Sequence, residues 1–442
     1  MKKLLSLFIS LTILFTGNLY SQSEEAQEAQ RTRRTPALSE RVYSRLSEAQ
    51  ACAEGVTDPD TGEQLEPIDM DCAFRLLNEV RTMGNQGRLN SYEMAQLWNF
   101  YAFIYLGQDD YPAAIEAYEN MLRVEPVEDL PLGMEMTTRY NLVQLYFAQD
   151  RYDDSLNMLD TWFNLEPNPG PDPYVLQAQL YYQLEDYNQG IVSIETALSI
   201  ATQQGRDMQE NWYRLLNVFH FELNNIPGVI DALNVLVNNW PKREYFVQLS
   251  AMYGQEGNDV NQLALYETAY EAGWLDRGTE QVQLAQLLLS ADIPVKSARI
   301  MEVGLEDGTI ESNMMNWRVL AQSWQLAQED LKAIPAMIEA ANLSEDGEID
   351  IRLAQSFQNL ARYDECVDAA ETSIEKGDLR REDQAHMILG ACLFELKEFS
   401  RARTAFQVAI EDERSENGAR SWIDYVNMEE DRENQLQAAL NR

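Results

Sequence analysis

The residue types that most often perform catalysis or bind metal ions are scarce in this chain of 442 residues. His220 and His386 are its only histidines, so a metal site with several His ligands, or a Ser/His/Asp catalytic centre, has little material. The sequence has neither an HExxH segment, which would place two zinc ligands on one helix face, nor a nucleophile-elbow motif. We therefore predict that the protein is not an enzyme and that it needs no metal ion or other cofactor.

The overall charge argues against two further classes of partner. The chain has 34 Lys and Arg residues against 73 Asp and Glu residues, which gives a formal charge of −39 at pH 7. Nucleic acids and anionic lipids bind to basic surfaces, because binding releases counterions or neutralises headgroups. Hydrophobic residues make up 45% of the chain, which is ordinary for a folded protein. We expect a protein partner and no nucleic acid.

The first residues are typical of a secretory signal peptide. A basic start, Met1–Lys3, precedes an apolar run, Leu4–Phe15, and a small residue, Ser21. The run is short for a membrane span, which needs about 20 residues, although an uncleaved anchor is the alternative. No cysteine follows that could carry a lipid. We predict a signal peptide over residues 1–21, a periplasmic chain in a Gram-negative-type envelope with no direct lipid anchor, and a disordered leader over residues 22–37.

The four cysteines form two candidate pairs. Cys52 and Cys72 bracket a long acidic loop, and in an exported protein this spacing predicts a disulfide. Closing about 20 residues stabilises by roughly 3 kcal/mol in the chain-entropy model. The loop lacks the spaced Glu of a hand-type calcium site. Cys366 and Cys392 fall at small, packed positions, where two adjacent thiols and a second bridge are equally compatible with the sequence.

The elements that must position any binding residues follow from a repeat. Tyr105, Tyr146 and Tyr181 lie 41 and 35 positions apart, and each is followed six residues later by another tyrosine. Small residues and prolines recur at matching offsets, weakly between residues 280 and 360 and clearly again from Leu389 to Ala409. A period near 34 residues with this order of aromatic and small residues is the tetratricopeptide pattern.

Helix packing explains these residue types. Each repeat is a pair of antiparallel helices, and small residues such as Ala102, Ala178 and Gly390 allow two helices to approach closely. One pair cannot bury its apolar face alone, so neighbouring pairs stack. We predict an all-α, tetratricopeptide-type helical-hairpin solenoid, a superhelix of about ten pairs. The divisions are a divergent first pair over residues 38–90, tandem repeats over 91–415 and a capping helix over 416–442.

The first helix of each pair is expected to line the concave face of such a solenoid. In four successive repeats, five positions per helix face inward by their offset from the leading aromatic residue, and none of the twenty is Lys or Arg. The Lys/Asn clamp that holds a C-terminal carboxylate in some tetratricopeptide proteins is therefore missing. The candidate partner-binding residues are Asn99, Phe103, Tyr140, Gln144, Phe147, Gln179, Tyr182, Tyr213, Asn217, His220 and Phe221.

This set is rich in aromatic and amide side chains and poor in charge. Aromatic residues dominate the energies of many interfaces, and side-chain amides both donate and accept hydrogen bonds. An extended or helical peptide fits such a surface. The alternative is that some of these aromatic residues only pack between helices. We expect His220 to be a polar aromatic residue of the groove and not a metal ligand.

Longer stretches resemble one particular family. They are LNSYEMAQLWNFYAFIYLGQDDYPAAIEAYENML from Leu89, PDPYVLQAQLYYQLEDY from Pro171, ENWYRLL from Glu210 and REYFVQLSAMYGQEGNDVNQLALYETAYEAGWL from Arg243. Across residues 89–340 the chain resembles bacterial periplasmic tetratricopeptide proteins that are encoded beside the energy-transduction components TonB, ExbB and ExbD. The resemblance implies a non-catalytic accessory protein in proton-motive-force-driven uptake across the outer membrane.

Two functions are compatible with this sequence. An adaptor of the TonB system would bind a periplasmic segment of an inner-membrane component of the TonB or Exb type, and an acidic exterior suits a Lys-rich linker. A general scaffold for envelope assembly, serving pili, outer-membrane proteins or polysaccharide export, would have the same fold and a different partner. Both are protein–protein interaction scaffolds.

Overall fold

The computed structural model describes residue 33, residues 35–57 and residues 64–440. The predicted signal peptide, most of the predicted leader and the tip of the loop between Cys52 and Cys72 lie outside the described residues. The described residues form two compact units that divide between Leu236 and Val237. Unit 1 and unit 2 below denote the parts on either side of that division.

Unit 1 consists of five helical pairs. They are α1 (Glu40–Glu54) with α2 (Met70–Asn85), α3 (Ser91–Gly107) with α4 (Tyr111–Leu122), α5 (Leu132–Ala148) with α6 (Tyr152–Phe163), α7 (Pro171–Gln183) with α8 (Tyr187–Gln203), and α9 (Glu210–Glu222) with α10 (Ile226–Asn239). A short 3₁₀ helix, Val127–Asp129, precedes α5. The division between the units falls inside the last turn of α10.

Unit 2 repeats the arrangement and ends with a single long helix. Its pairs are α11 (Arg243–Gln255) with α12 (Asp259–Glu271), α13 (Gly278–Ser290) with α14 (Pro294–Glu306), α15 (Met314–Leu326) with α16 (Asp330–Asn342), α17 (Glu348–Asn359) with α18 (Tyr363–Lys376), and α19 (Glu382–Glu395) with α20 (Phe399–Ala409), followed by α21 (Glu416–Leu440). The all-α, tetratricopeptide-type prediction is confirmed, with ten pairs and a terminal helix in the described part of the chain.

One small element departs from the all-α prediction. Val56–Thr57 (β1) and Gln64–Glu66 (β2) form a two-stranded antiparallel ribbon in the loop between α1 and α2. Val56 pairs with Glu66 and Thr57 with Gln64. A disulfide joins Cys52 of α1 to Cys72 of α2, with the two Cα atoms 5.9 Å apart, so it closes the base of the same loop. Because both ends of the loop are held together there, its two arms run antiparallel and exchange backbone hydrogen bonds.

The turn inside each pair has the same backbone conformation from α3 onward. One residue at the turn lies in the left-handed region, and in eight of nine pairs it is not glycine. These residues are Asp109, Asp150, Glu185, Asn224, Gly257, Asp292, Gln328, Ala361 and Lys397. Four of the nine are Asp or Asn, which enter the left-handed region more readily than most residues. For the Glu, Gln, Ala and Lys residues this conformation is unfavourable, so the packing of the two helices must enforce it. The repeat is therefore as regular in the backbone where its sequence signature is weak as where it is strong.

Small residues make room for aromatic rings at the contacts between helices. A Cβ atom at position 190 on α8 would lie 2.5 Å from the ring of Phe219 on α9, and one at position 390 on α19 would lie 2.7 Å from the ring of Phe406 on α20. Both rings are fully buried. The small residues of the repeat pattern thus leave space that a ring of a neighbouring helix fills, as dense packing of protein interiors requires.

The end of the predicted leader is attached to unit 1. Arg33 donates from Nη1 to Glu135 Oε2 at 2.8 Å and to the carbonyl oxygen of Leu130 at 3.2 Å. The Ala37 carbonyl accepts from Asn90 Nδ2 at 2.9 Å. Glu135 is 2% exposed and accepts from both Arg33 and Arg139, so its buried charge is shared between two cations and Arg33 is held against unit 1.

The second pair of cysteines, which the sequence left open, is also joined. Cys366 of α18 and Cys392 of α19 form a disulfide with Cα atoms 6.3 Å apart, and both are completely buried. This bridge connects two successive helical pairs, whereas the bridge between Cys52 and Cys72 lies within one pair. At the same end of unit 2, Trp422 of α21 stacks on Phe406 of α20 with ring centroids 5.3 Å apart. The terminal helix thereby covers the apolar face of the last pair.

Candidate partner-binding site

The eleven candidate residues lie on four successive first helices of unit 1. Asn99 and Phe103 are on α3, and Tyr140, Gln144 and Phe147 are on α5. Gln179 and Tyr182 are on α7, and the remaining four, Tyr213, Asn217, His220 and Phe221, are on α9. The sequence placed each of them on a first helix, and the environment of each side chain decides which are free to contact a partner.

Three of the aromatic residues pack within or between their own helical pairs. The Tyr140 ring lies 5.4 Å from that of Trp162 on α6, and the Phe147 ring lies edge-on to Tyr152 of α6 at 5.6 Å. The Tyr182 ring lies 6.3 Å from both Tyr187 and Phe219. Ring pairs at these separations contribute stability beyond their buried area. Much of the surface of these three rings is therefore used by the fold, as the alternative interpretation of the sequence proposed.

Two phenylalanines are different, because they remain largely in solvent. Phe103 on α3 is 44% exposed and Phe221 on α9 is 49% exposed. An exposed Phe offers a partner a large apolar area at little cost in conformational entropy. Tyr213 is half-buried, and its hydroxyl donates to the Met208 sulfur at 2.8 Å. Phe103 and Phe221 are thus the aromatic side chains of the set that are best placed to bind another protein.

Three of the predicted binding residues on α3, α5 and α7 have side-chain amides. Asn99, Gln144 and Gln179 are all half-buried, and none of them forms a side-chain hydrogen bond within the described part of the chain. We call these three residues the amide row. An amide that is partly removed from water gains from a partner that supplies a donor and an acceptor, such as a peptide backbone. Asn217 on α9 is buried, with 8% of its surface exposed, and is less accessible.

His220 has a packing role inside the pair α9–α10. A Cβ atom at position 228 would lie 2.5 Å from its ring, so Gly228 of α10 provides the space that the imidazole occupies. Nδ1 lies 3.1 Å from Asn225 Nδ2. Burial lowers the pKa of His220, which Glu195 and Asp231 partly offset, and the ring is mostly neutral at pH 7. Within the described residues, no group of three or more His, Cys, Asp or Glu side chains is arranged to hold a metal ion.

The predicted binding residues end at the fourth repeat, on α9. They do not include a concave region in unit 2. The same five offsets, counted from Trp317 on α15, give Met315, Arg318, Gln322, Gln325 and Leu326. In the structure Arg318, Gln322 and Gln325 line a cavity of about 130 Å³. Trp317, Ala321 and Trp324 on α15 match the repeat pattern, so the sequence was sufficient to predict these positions.

Two segments of the chain match a known repeat family. Residues 171–204, which cover α7 and α8, match the tetratricopeptide repeat, and so do residues 351–418, which run from α17 into α21. The described chain is accordingly a stack of tetratricopeptide-type helical pairs, a fold that typically serves as a scaffold for protein–protein interactions. Among curated proteins, no sequence matches the chain. In the described residues no helix is long and apolar enough to cross a membrane.

Several solved structures resemble the chain at low identity. One is a tetratricopeptide repeat protein from Parabacteroides merdae, with 10% identity over 76% of this chain and 99% of that one and a TM-score of 0.32. Another is the complex of the TPR2AB domain of yeast Sti1 with pHSP90, with 11% identity, coverage of 67% and 99%, and a TM-score of 0.28. MamA from Desulfovibrio magneticus matches over 40% of this chain and 94% of that one, with 14% identity and a TM-score of 0.32. At these scores the fold rests on the helical pairs and the two matched repeats.

Proposed function

We propose that this protein is a non-catalytic periplasmic scaffold that holds a segment of an inner-membrane-anchored partner, of the TonB or Exb type, on the first helices of unit 1. The resemblance of residues 89–340 to periplasmic tetratricopeptide proteins supports the choice of partner, and the signal-peptide pattern of residues 1–21 supports the compartment. The matched repeats support the more general role in protein–protein interaction.

The observation that carries the proposal is the combination of exposed Phe side chains with the amide row. Of the four first helices, the first, α3, carries Phe103 and the last, α9, carries Phe221. The amide row contributes one residue each from α3, α5 and α7. Anchors of this kind and backbone hydrogen bonds to side-chain amides suit an extended segment that crosses several helices. The charge of −39 would accelerate association with a Lys-rich segment without determining where it docks.

The test is a binding titration of the purified chain against purified periplasmic domains of TonB and of the Exb subunits. The double variant Phe103→Ala/Phe221→Ala should weaken binding by about 1–3 kcal/mol, because both anchors are removed. Its circular dichroism spectrum and unfolding midpoint should match wild type, since both side chains are largely exposed. Tyr43→Ala is the matched control, because Tyr43 on α1 is 62% exposed and is not one of the predicted groove residues.

Variants of the packed aromatic residues are less informative. Tyr182→Ala or Phe147→Ala removes a ring that also contacts its own helical pair, so a loss of binding would be mixed with a loss of stability. If the double Phe variant binds like wild type, the unit 1 surface is not the binding site. If no TonB or Exb domain binds wild-type protein, the general envelope-assembly scaffold replaces this proposal.

A further inference from the structure

Unit 2 contains a concave site whose chemistry differs from that of the unit 1 surface. A cavity of about 130 Å³ lies among α15, α16, α17 and the loop after α18. Arg318 projects from α15, Arg352 from α17 and Arg380 from the loop, while Met337 and Ala340 of α16 contribute apolar surface. We call this site the arginine pocket.

The three guanidinium groups of the arginine pocket stand out because acidic partners are plentiful elsewhere. Arg318, Arg352 and Arg380 are exposed, and none forms a side-chain ion pair within the described residues. In the same unit Arg401 is paired with Glu371 at 2.6 Å, and Arg403 is paired with Glu430. In a chain with 73 acidic residues, three unpaired arginines around one cavity make a local excess of positive charge.

Two carboxylates also line the pocket, and both are engaged by the local backbone. Asp346 Oδ1 accepts from Ser344 Oγ and from the backbone nitrogen of Glu348, each at 3.1 Å. Glu348 Oε1 accepts from the backbone nitrogen of Arg380 at 2.6 Å, which ties the loop to α17. The two carboxylates thus fix the loops after α16 and α18, and neither forms an ion pair with the three guanidinium groups. The lining therefore carries three positive and two negative charges.

The size of the cavity restricts what can enter it. Small-molecule sites usually measure about 300–1,000 Å³, and this cavity is smaller. Its 130 Å³ leaves room for a small group such as one acidic side chain. Met315 and Leu326 on α15 are 55% and 56% exposed and offer apolar contacts along the same helix. A peptide whose acidic side chain enters the cavity would reach these two residues.

We propose that the arginine pocket binds an Asp or Glu side chain of an acidic peptide that lies across α15 and α17. The planar guanidinium group is suited to carboxylates because it offers two parallel donors. Gln322 is exposed and available to hydrogen-bond the peptide backbone, and Gln325 is oriented by a hydrogen bond of 3.4 Å to Ser356 Oγ. This site is separate from the unit 1 surface and does not depend on the function proposed above.

The experiment measures fluorescence anisotropy of the full chain with labelled decapeptides. One peptide alternates Glu with Leu and Ala, the second replaces each Glu with Gln, and both carry a C-terminal amide. We expect the Glu peptide to bind and the Gln peptide not to bind. Arg318→Gln/Arg352→Gln should weaken binding about tenfold or more, because the bound carboxylate loses two of the three guanidinium groups around the cavity. Arg299→Gln is the control, since Arg299 is an exposed arginine of α14 outside the pocket.

Each alternative outcome contradicts the proposal. Equal binding of the two peptides, no binding of the Glu peptide, or wild-type affinity of the folded Arg318→Gln/Arg352→Gln variant would overturn it. Adding the free C-terminal acid to the Gln peptide tests the other source of a carboxylate, and binding of that peptide alone would show a terminus-binding site instead. Competition by inorganic phosphate at concentrations similar to those of the Glu peptide would show an unselective anion site. The variant Phe103→Ala/Phe221→Ala should bind the Glu peptide like wild type.

Discussion

The same positions of the repeat are used differently in unit 1 and unit 2. At the second of the five positions, unit 1 has Tyr140 on α5, whose ring packs against Trp162 of the same pair. On α15 of unit 2 this position holds Arg318, which remains exposed. The Tyr140 ring stabilises its own pair, whereas Arg318 forms no ion pair within the described residues. Side chains that the fold does not use are therefore the better indicators of binding.

The covalent connections differ in a similar way. The bridge between Cys52 and Cys72 closes one loop within the first pair of unit 1, and both residues are only half-buried. The bridge between Cys366 and Cys392 joins two pairs of unit 2 and is fully buried. Within the described residues, the contacts between pairs of unit 1 are therefore non-covalent, whereas unit 2 adds a covalent bond to one such contact.

The largest effect should come from removing the buried bridge. Cys366→Ala/Cys392→Ala should destabilise unit 2 by about 3 kcal/mol or more, the sum of loop-closure entropy and a cavity. Because the chain forms two units, hydrogen exchange followed by mass spectrometry over α18 and α19 is a more specific measurement than a single melting curve. The comparison variant is Cys52→Ala/Cys72→Ala, with a nearly equal loop but no fully buried sulfur. Equal losses in both variants would show that burial and the link between pairs add nothing.

A smaller loss of folding stability is expected in unit 1 where an aromatic ring packs directly against a glycine. Gly190→Ala would place a methyl group 2.5 Å from the Phe219 ring, so the ring must move and α8 and α9 should separate. We expect a destabilisation of about 1–3 kcal/mol, measured by urea unfolding followed by Trp fluorescence. Gly107→Ala is the control, because nothing lies within 4 Å of a Cβ at that helical position. A Gly190→Ala variant as stable as Gly107→Ala would mean that the aromatic contact between α8 and α9 is loose.

The third prediction concerns a buried carboxylate at the end of unit 2. Arg381 donates to both oxygens of Asp383 at 2.8 and 2.6 Å, Ser415 Oγ donates at 2.6 Å, and these contacts hold the pKa of Asp383 well below its usual range. Asp383→Asn should cost about 1–2 kcal/mol at pH 7, a value reduced because Arg381 is partly exposed. The measurement is urea unfolding of both proteins between pH 7 and pH 3.

The sign of the pH effect follows from proton linkage. A carboxylate whose pKa is lower in the folded state stabilises the protein above its unfolded pKa of about 3.9, and the contribution is lost as the pH falls through the folded value. The difference between wild type and Asp383→Asn should therefore be full at pH 7 and begin to shrink below about pH 4. A difference that is constant down to pH 3 would mean that the lost hydrogen-bond geometry, and not the charge, causes the effect.

The fold could be predicted from the sequence because the repeat reports directly on helix packing. Small residues such as Ala102 and Gly390 and the aromatic residues beside them are required wherever two helices approach closely. The regular turns could not be predicted from residue types, since Asp292, Gln328 and Ala361 share one backbone conformation and little chemistry. That conformation is imposed by the helices on either side.

The candidate site was predictable only in part. The register placed the aromatic residues on the correct helices, but it could not separate Tyr182 from Phe221, because the difference lies in which neighbouring ring reaches each one. Arg318 could have been predicted from the same register, because it lies one residue after Trp317. Arg380 was not, because it lies in a loop and joins the arginine pocket only through the packing of α17 and α18. Loop residues have no periodicity to reveal their position.

The bridge between Cys366 and Cys392 also determines how unit 2 responds to a pulling force. Tension that enters through α18 passes into α19 through a covalent bond, so the chain between the two cysteines carries no load while the bridge is intact. Their separation of 26 residues corresponds to about 90 Å of extended chain at roughly 3.3–3.6 Å per residue. This length stays hidden under force, and the contact between these two pairs cannot be the place where the stack begins to unravel.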